Sequence, residues 1–214
     1  MKPRKKHFVG WKTWLVITAL AAAMLIFTFR IHSFLAVKTQ RVDANVLVVE
    51  GWIWDYGMHA AAEEFKGGNY SFIATSGLRI SNEPKPGSSN DISVASLAQD
   101  SLRSYGVPAD QIIVCPADKT SWNRTSSSAR AVREKLQLQG IALKGINVLT
   151  IGPHARQSWL AYRHIMGPEI PVGIITVPTQ NFDPNRWWLS RGGIYAITKD
   201  SIGWLREWLF GRNS

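Results

Sequence analysis

Cysteine is almost absent from this chain of 214 residues, because Cys115 is the only one. An internal disulfide is therefore impossible, and so is a zinc site built on several cysteines. Apolar residues make up 45% of the chain and charged residues 19%. This balance predicts a packed hydrophobic core that stabilises the fold without cross-links, and it excludes a chain that is disordered throughout.

Acidic residues are missing from the first 42 positions. Eight of the 25 lysine and arginine residues lie there, which leaves 17 basic residues against all 15 acidic ones in the rest of the chain. The formal net charge of +10 therefore comes mostly from the N-terminus, and the remainder is nearly neutral. Because no basic surface remains to follow a phosphate backbone, we expect no binding to nucleic acid.

Charge is also absent from residues 14–29, an apolar run of 16 residues. A helix rises about 1.5 Å per residue, so this run and its neighbours reach across a bilayer core of about 30 Å. The sequence predicts a basic cytoplasmic segment at 1–13, a transmembrane signal anchor at 14–31 and a linker at 32–42, because the basic residues before the run favour a cytoplasmic N-terminus. A buried core helix and a cleaved signal peptide are the alternatives.

Strand and helix patterns alternate over residues 43–214, which form the predicted globular domain on the outer side of the inner membrane. Short β-branched runs predict five strands, and amphipathic segments that end at glycine predict the helices between them. The strands are expected at residues 45–49, 70–75, 111–115, 147–151 and 172–177. This order predicts a doubly wound, Rossmann-like α/β fold with a mostly parallel sheet of about five strands.

Polar residues follow the predicted strands, and ligands bind outside the carboxyl ends of the strands in such sheets. Glu50 and Gly51 come after the first strand, and Ser76 and Gly77 come after the second. One glycine is too few for a G-x-G-x-x-G dinucleotide fingerprint, and Ser76 lacks the flanking glycines of a nucleophile elbow. All four are candidate ligand-binding residues, and a plain turn role is the alternative for Gly51 and Ser76.

The stretch DKTSWNRTSSSAR follows the third predicted strand and leads into a helix whose start is rich in hydroxyl groups. Free N–H groups at such a start, with Arg124 beside them, predict a pocket for phosphate or carboxylate. Asn123 and Thr125 are candidate ligand-binding residues at the same place. Simple capping of the helix by Thr125 or Ser126 is the alternative, and both roles can hold at once.

The segment GPHAR opens the helix that follows the fourth predicted strand. His154 is the candidate catalytic residue, because imidazole gives and takes protons near neutral pH. Arg156 offers a planar charge suited to an anion. A structural hydrogen bond is the alternative for His154. No second set of ligands accompanies it, so we expect no metal site, and no cofactor is evident from the sequence.

Four tryptophans lie near the C-terminus. Trp187 and Trp188 are adjacent, and stacking on a sugar ring is one role open to them. Trp204 and Trp208 share a helical face with Leu205, which predicts a face turned to the core or to a membrane.

Five stretches, taken in order, resemble the SanA/ElyC/YdcF-like family over about residues 43–209. They are DANVLVVEGW, FIATSG, YGVPADQI, TSWNRTSSSARAV and VLTIGPHARQS. That family is an α/β domain of largely unknown biochemistry that is linked to bacterial envelope integrity. The resemblance implies one pocket formed by Glu50, Gly51, Ser76, Gly77, Asn123, Thr125 and His154. The sequence departs from the family pattern at Gln157, where arginine is common, and at Trp52, where a second glycine is usual.

The anchor and the resemblance together predict a single-pass, envelope-facing protein of cell-wall or surface-polysaccharide biogenesis. Its expected partners are the lipid bilayer, through residues 14–31, and an envelope polysaccharide or lipid-linked precursor. The expected ligand is anionic and carries phosphate or sugar. A non-catalytic partner protein of the envelope machinery is one alternative. An S-adenosylmethionine-type or nucleotide-binding domain, which the resemblance also allows, is another, although an outward-facing domain has no ready supply of nucleotide.

Overall fold

Five parallel strands form one sheet in the computed structural model of the chain, which describes residues 10–80 and 92–211. The strands are β1 Val46–Glu50, β2 Phe72–Leu78, β3 Ile112–Ala117, β4 Ile146–Ile151 and β5 Val172–Val177. Their order across the sheet is β3-β2-β1-β4-β5, and every pairing between them is parallel. The predicted α/β fold with a parallel sheet of about five strands is therefore confirmed.

Helices cover both faces of this sheet. Within the described residues they are α1 Trp11–Leu35, α2 Asp55–Gly67, α3 Val94–Ser104, α4 Arg124–Leu138, α5 Ala155–Met166 and α6 Arg191–Phe210. Successive residues of a strand point to opposite faces. Leu47 accordingly packs with apolar residues of α2 and α3, whereas Val48 packs with those of α4 and α5. Two separate apolar cores therefore fix the sheet between two layers of helices.

The two central strands are buried along their whole length. All five residues of β1 and all six of β4 are buried. Parallel strands covered on both faces are near-continuous apolar runs, which explains why VLVV and the β4 sequence INVLTI carry few polar residues. Glu50, the last residue of β1, is the buried acid that breaks this pattern.

The chain changes direction across the sheet between β1 and β4. From β1 it winds outward through β2 to β3, and it then crosses back to β4 and winds outward to β5. In open α/β sheets the carboxyl ends of the strands on either side of such a switch point leave a crevice between their loops. The end of β1, at Glu50, and the end of β4, before His154, lie on the two sides of this switch.

Two predicted site glycines allow α3 to approach the sheet closely. A Cβ at Gly51 would lie 2.6 Å from the carbonyl oxygen of Val94, and one at Gly77 would lie 2.7 Å from the Val94 Cβ. Gly51 also donates its N–H to the carbonyl of Ser76, at 2.6 Å. Because any larger residue would push α3 away, both glycines shape the edge of the sheet through their lack of a side chain.

Residues 77–90 are rich in glycine, proline, serine and asparagine, a composition that predicts a long exposed loop, but this loop begins later than the composition indicates. Gly77 and Leu78 continue β2, because they pair with Pro116 and Ala117 of β3. Arg79 then forms an isolated antiparallel bridge with Ser93, the residue that caps α3. Residues 81–91, which hold the rest of the expected loop, lie outside the described part of the chain.

Helix α1 extends the predicted anchor at both ends. Among the described residues it is the one helix long and apolar enough to cross a membrane. Its last turns are part of the globular fold, since Ile31 and Leu35 are buried against Ile197 of α6. The segment at 32–42, expected as a linker, is likewise packed: Val37 is buried, and Gln40 pairs with Ile174 at the edge of the sheet.

Candidate functional site

A cavity of about 540 Å³ lies at the carboxyl edge of the sheet. Its walls are the ends of β1 and β2, the first turns of α3 and α4, the short 3-10 turn Gly152–His154 before α5, and one side of α6. Six of the nine predicted site residues line it: Glu50, Ser76, Gly77, Arg124, Thr125 and His154. The rule about strand ends therefore brings together residues from four separate parts of the chain.

A second, more open depression of about 750 Å³ lies beside the amino ends of the strands. Four of its polar side chains are already paired with one another, namely Arg41, Glu64, Tyr70 and Asn147. Arg41 forms a 2.7 Å ion pair with Glu64, and the Tyr70 hydroxyl donates to the same carboxylate at 3.1 Å. Asn147 donates to Tyr70 in turn. This satisfied network ties α2 to the sheet, so we place the functional site in the smaller cavity.

His154 lies between two buried carboxylates in that cavity. Its Nδ1 is 2.9 Å from Asp200 Oδ1, and its Nε2 is 3.8 Å from Glu50 Oε1. An ionised Asp200 only accepts hydrogen bonds, so Nδ1 carries a proton and donates it. The Nε2 atom is then the nitrogen that faces the other groups of the site, and the Thr125 hydroxyl lies 3.5 Å from it.

Opposing effects set the protonation of this pair. Burial disfavours the charged imidazolium and by itself lowers the pKa of His154, but the charges of Glu50 and Asp200 outweigh it and raise the pKa above 6.5. Burial by itself raises the pKa of Asp200, but the hydrogen bond and charge of His154 hold it below 3.8. Both shifts act in the same sense, because each favours an imidazolium paired with an ionised Asp200.

Glu50 is fixed at the floor of the cavity by two hydroxyl groups. Thr150 of β4 donates to its Oε2 at 2.5 Å, and Ser158 of α5 donates to its Oε1 at 2.8 Å. Glu50 is only 3% exposed, so a carboxylate there needs such donors in place of water. These bonds hold the carboxylate where it attracts a proton on His154.

Ser76 is part of the same buried network. The Tyr162 hydroxyl of α5 donates to Ser76 Oγ at 3.1 Å, and Ser76 Oγ is 3.5 Å from the Val49 carbonyl, to which it donates. The His154 ring bonds to Asp200 and not to Ser76. The arrangement joins α5 to the ends of β1 and β2, and it does not present Ser76 as a nucleophile activated by the histidine.

Three basic side chains line the cavity: Arg124 of α4 and Lys199 and Arg206 of α6. Lys199 Nζ lies 3.4 Å from Asp200 Oδ1 and 5.5 Å from the centre of the Trp52 ring. Arg206 packs over Trp122, and its Nε is buried without a hydrogen-bond partner among the described residues. A buried donor left unpaired by the protein is available to an acceptor on a ligand.

The start of α4 adds uncapped N–H groups to this basic wall. Asn123, the residue before the helix, has left-handed backbone geometry with φ of 55°, and its side chain accepts no bond from the first turn. Thr125 and Ser126 lie inside the helix, so neither occupies the capping position expected as the alternative. Ser126 instead donates to Glu207 at 2.6 Å. The partial positive charge of the helix start is therefore not offset by a local cap.

Three predicted residues do not line the cavity. Gly51 and Asn123 neighbour its wall through their backbone. Arg156 lies elsewhere: its Nε donates to the Phe34 carbonyl, and its guanidinium carbon is 4.0 Å from the centre of the Phe34 ring. Residues two positions apart on a helix point in nearly opposite directions, so His154 and Arg156 cannot both face the cavity. Arg156 instead joins the end of α1 to α5, and we do not assign it an anion-binding role.

The sequence did not single out Asp200, Lys199 or Arg206, although all three are central to the site. The sequence of α6 does contain one pattern that could have indicated a buried acid. Positions 197, 200, 204 and 207 recur at helical spacing, and Ile197, Asp200 and Glu207 are buried. An acid on the buried stripe of a helix requires a partner, and for Asp200 that partner is His154.

Within residues 10–80 and 92–211, no group of three or more His, Cys, Asp or Glu side chains is placed to hold a metal ion. Models of known protein families give no match to this sequence, and no curated protein sequence matches it. The resemblance to the SanA/ElyC/YdcF-like family stays a prediction, and the functional argument that follows depends on the geometry of the cavity.

Proposed function

We propose that the cavity binds an anionic ligand of cell-wall or surface-polysaccharide biogenesis that carries phosphate or is linked to sugar. The observation that supports this is the charge of the walls. Arg124, Lys199 and Arg206 line the cavity, whereas Glu50 is the only carboxylate residue on its described walls. Arginine donors and an uncapped helix start are the groups that proteins use to bind phosphate.

Aromatic rings beside the basic groups favour a ligand larger than a free inorganic ion. Trp52 and Tyr195 both line the cavity. Trp52 is 41% exposed and Tyr195 is 69% exposed. Exposed rings at a polar site offer a flat apolar surface to a sugar, while the cations bind its phosphate. Trp187 and Trp188, the rings first considered for a sugar, do not line this cavity.

His154 is the proposed acid–base group. Asp200 fixes the ring through Nδ1, which leaves the Nε2 proton of the imidazolium to be donated. In hydrolysis of a phosphoester, that proton passes to the leaving oxygen as its bond to phosphorus breaks. The attacking water supplies the new oxygen on phosphorus and returns a proton to His154. Asp200 is a positioning residue in this scheme, because it acts through the histidine.

We further propose that α1 spans the inner membrane and that the α/β domain lies outside the cytoplasm. The support for this orientation is the charge of the N-terminus, where the basic residues before the apolar run favour the cytoplasmic side. The cavity would then face the compartment in which cell-wall and surface polymers are assembled.

Reporter fusions test this orientation. Alkaline phosphatase fused after Ser214 is expected to be active in intact Gram-negative cells, because the enzyme needs an oxidising compartment. Green fluorescent protein fused at the same point is expected to be dark. A bright fluorescent fusion with an inactive phosphatase would contradict the orientation, and it would favour the nucleotide-binding alternative.

Pyrophosphate serves as a simple probe of the anion site. We expect it to bind the full chain in non-ionic detergent, as measured by isothermal titration calorimetry. Arg206→Ala should weaken binding about ten- to a hundredfold, the equivalent of one charged hydrogen bond. Arg130→Ala is the matched control, because Arg130 is an exposed arginine of α4 that does not line the cavity.

Equal losses in the two arginine variants would show that pyrophosphate binds through general surface charge, and the proposal of a specific anion site would fail. Absence of any binding to the unsubstituted chain would have the same meaning. Binding that depends on Arg206, and that is weakened but not lost in a His154 variant without biological function, is the result that the acid–base role predicts, because that variant lacks the imidazolium charge but keeps the basic wall.

A further inference from the structure

The segment at residues 186–191, RWWLSR, contacts α1 where that helix leaves the globular domain. The Trp187 indole N–H donates to the carbonyl of Thr28 at 3.1 Å. The ring of Trp188 meets that of Phe29 edge to face, with 5.1 Å between their centres. Thr28 and Phe29 precede Ile31, the first residue of α1 that is buried in the domain.

The exposed part of α1 has the length of a bilayer core. Residues 11–30 number 20, which at about 1.5 Å per residue gives a helix of about 30 Å. If this part crosses the membrane, Phe29 and Arg30 mark the level at which the chain emerges. The 186–191 segment then lies at the same level, because it contacts Thr28 and Phe29 directly.

The composition of the segment is suited to the membrane surface at which α1 emerges. Leu189 is 71% exposed, and Arg186 and Arg191, on either side of the tryptophan pair, are exposed as well. Tryptophan is enriched where headgroups meet acyl chains, and arginine places its charge among lipid phosphates while its apolar stem lies deeper. If the segment faced water, the exposed Leu189 would bury no apolar surface and would contribute no stability.

The backbone of the segment is held in place from both sides. Asp183 accepts a hydrogen bond from the Asn185 N–H at its start, and Ser190 accepts one from the Gly193 N–H as α6 begins. Gly193 permits close packing here, because a Cβ at this position would lie 2.3 Å from the Trp187 carbonyl oxygen. The segment is therefore a fixed surface of the domain beside the emerging helix.

We infer that residues 186–191 form a second contact with the membrane, in which Trp188 and Leu189 enter the headgroup layer and Arg186 and Arg191 bind phosphates of anionic lipids. Together with α1, this contact fixes how the domain lies on the bilayer. Tyr195, one turn into α6, lines the cavity, so the contact also holds the cavity near the membrane surface.

A nitroxide at position 189 tests this contact. The full chain, with Leu189→Cys and a spin label, is reconstituted in vesicles of phosphatidylcholine and phosphatidylglycerol. The only native thiol, Cys115, is buried, and burial raises its pKa to about 12, so labelling is selective for the new site. Collision with oxygen, which partitions into lipid, is compared with collision with a water-soluble nickel chelate by electron paramagnetic resonance.

Leu138→Cys is the matched control, because Leu138 is 85% exposed at the end of α4 that points away from the cavity. We expect high oxygen and low nickel collision at position 189, and the reverse at position 138. Equal aqueous accessibility at both positions would overturn the inference, and so would lipid exposure at both. A label at 189 that is equally buried in pure phosphatidylcholine would overturn the role given to the two arginines.

Discussion

Replacement of His154 by asparagine is expected to abolish the function of the protein while leaving it folded. Asparagine places an N–H₂ group near the position of Nδ1, so it can still donate to Asp200, but it cannot exchange a proton. General acid–base catalysis contributes about a hundred- to ten-thousandfold to a rate, and a loss of that size removes activity in a cell. The measurement is complementation of the envelope defect that the proposed function predicts for a strain that lacks its own copy of the gene.

Asparagine is a sharper choice than alanine at this position. His154 is buried beside Glu50 and Asp200, and its removal without a replacement would take away the 2.9 Å donor to the buried Asp200 carboxylate and leave it only the Lys199 ammonium at 3.4 Å. Loss of one partner of a buried pair is strongly destabilising, so His154→Ala would mix unfolding with loss of chemistry. The sequence alone places His154 in a crevice and does not reveal this dependence.

His59→Ala is the control for this experiment. His59 is an exposed residue of α2 whose ring meets Tyr105, away from the cavity, so the variant should restore the envelope as the unsubstituted chain does. Both variants must accumulate in the membrane to the same level. Full restoration by folded His154→Asn would show that the histidine has no chemical role, and the non-catalytic alternative would then be favoured.

Replacement of Glu50 by alanine is expected to lower the free energy of unfolding by about 2–5 kcal/mol. The change leaves the hydroxyls of Thr150 and Ser158 buried without their acceptor, and it removes the carboxylate that pairs with His154. Thermal or denaturant unfolding of the full chain in detergent micelles, followed by far-ultraviolet circular dichroism, gives the difference.

Glu63→Ala provides the comparison for Glu50. Its side chain is 60% exposed and forms a 3.4 Å ion pair with Lys66 on the surface of α2. Surface pairs of this kind contribute little, so the change should be within about 0.5 kcal/mol of zero. Similar effects of the two substitutions would mean that Glu50 is not the buried acceptor of the network, and its place in the site would be lost.

The fold could be predicted because its determinants are local. Runs such as VLVV in β1 are too short and too β-branched for helices, and glycines end the segments between them. The side of the sheet that holds the site followed from the same pattern, because parallel strands end at one edge. Glu50, Ser76 and His154 reach that edge from positions spread over about a hundred residues of the sequence.

The other half of the site depends on tertiary packing that no local pattern specifies. Lys199, Asp200 and Arg206 belong to a helix that crosses over the carboxyl edge after the last strand, and sequence periodicity does not state where such a helix docks. Arg156, in contrast, was predicted to belong to the site but lies outside it. Its proximity to His154 along the chain suggested a shared site, but helical geometry turns it toward α1.

The segment at 32–42 shows a similar limit. Its composition resembles a linker between an anchor and a domain, yet Leu35 and Val37 are buried and Gln40 joins the edge of the sheet. Its partners, Ile197 and Ile174, lie far along the chain, so only the folded structure reveals the contact. Soluble versions of the domain should accordingly keep residues from about 31 onward.

The most direct measurement is the pKa of the His154 imidazole in the full chain. The protein contains five histidines, and labelled histidine with nuclear magnetic resonance reports each ring, the His154 signal being the one lost in His154→Asn. We predict a pKa above 6.5 that falls in Asp200→Asn, because that variant removes the charge that supports the imidazolium. Added pyrophosphate should raise it further, because an anion bound beside the ring stabilises its positive charge. A pKa at or below 6.5 that responds neither to Asp200→Asn nor to pyrophosphate would contradict an acid–base centre in an anion-binding cavity.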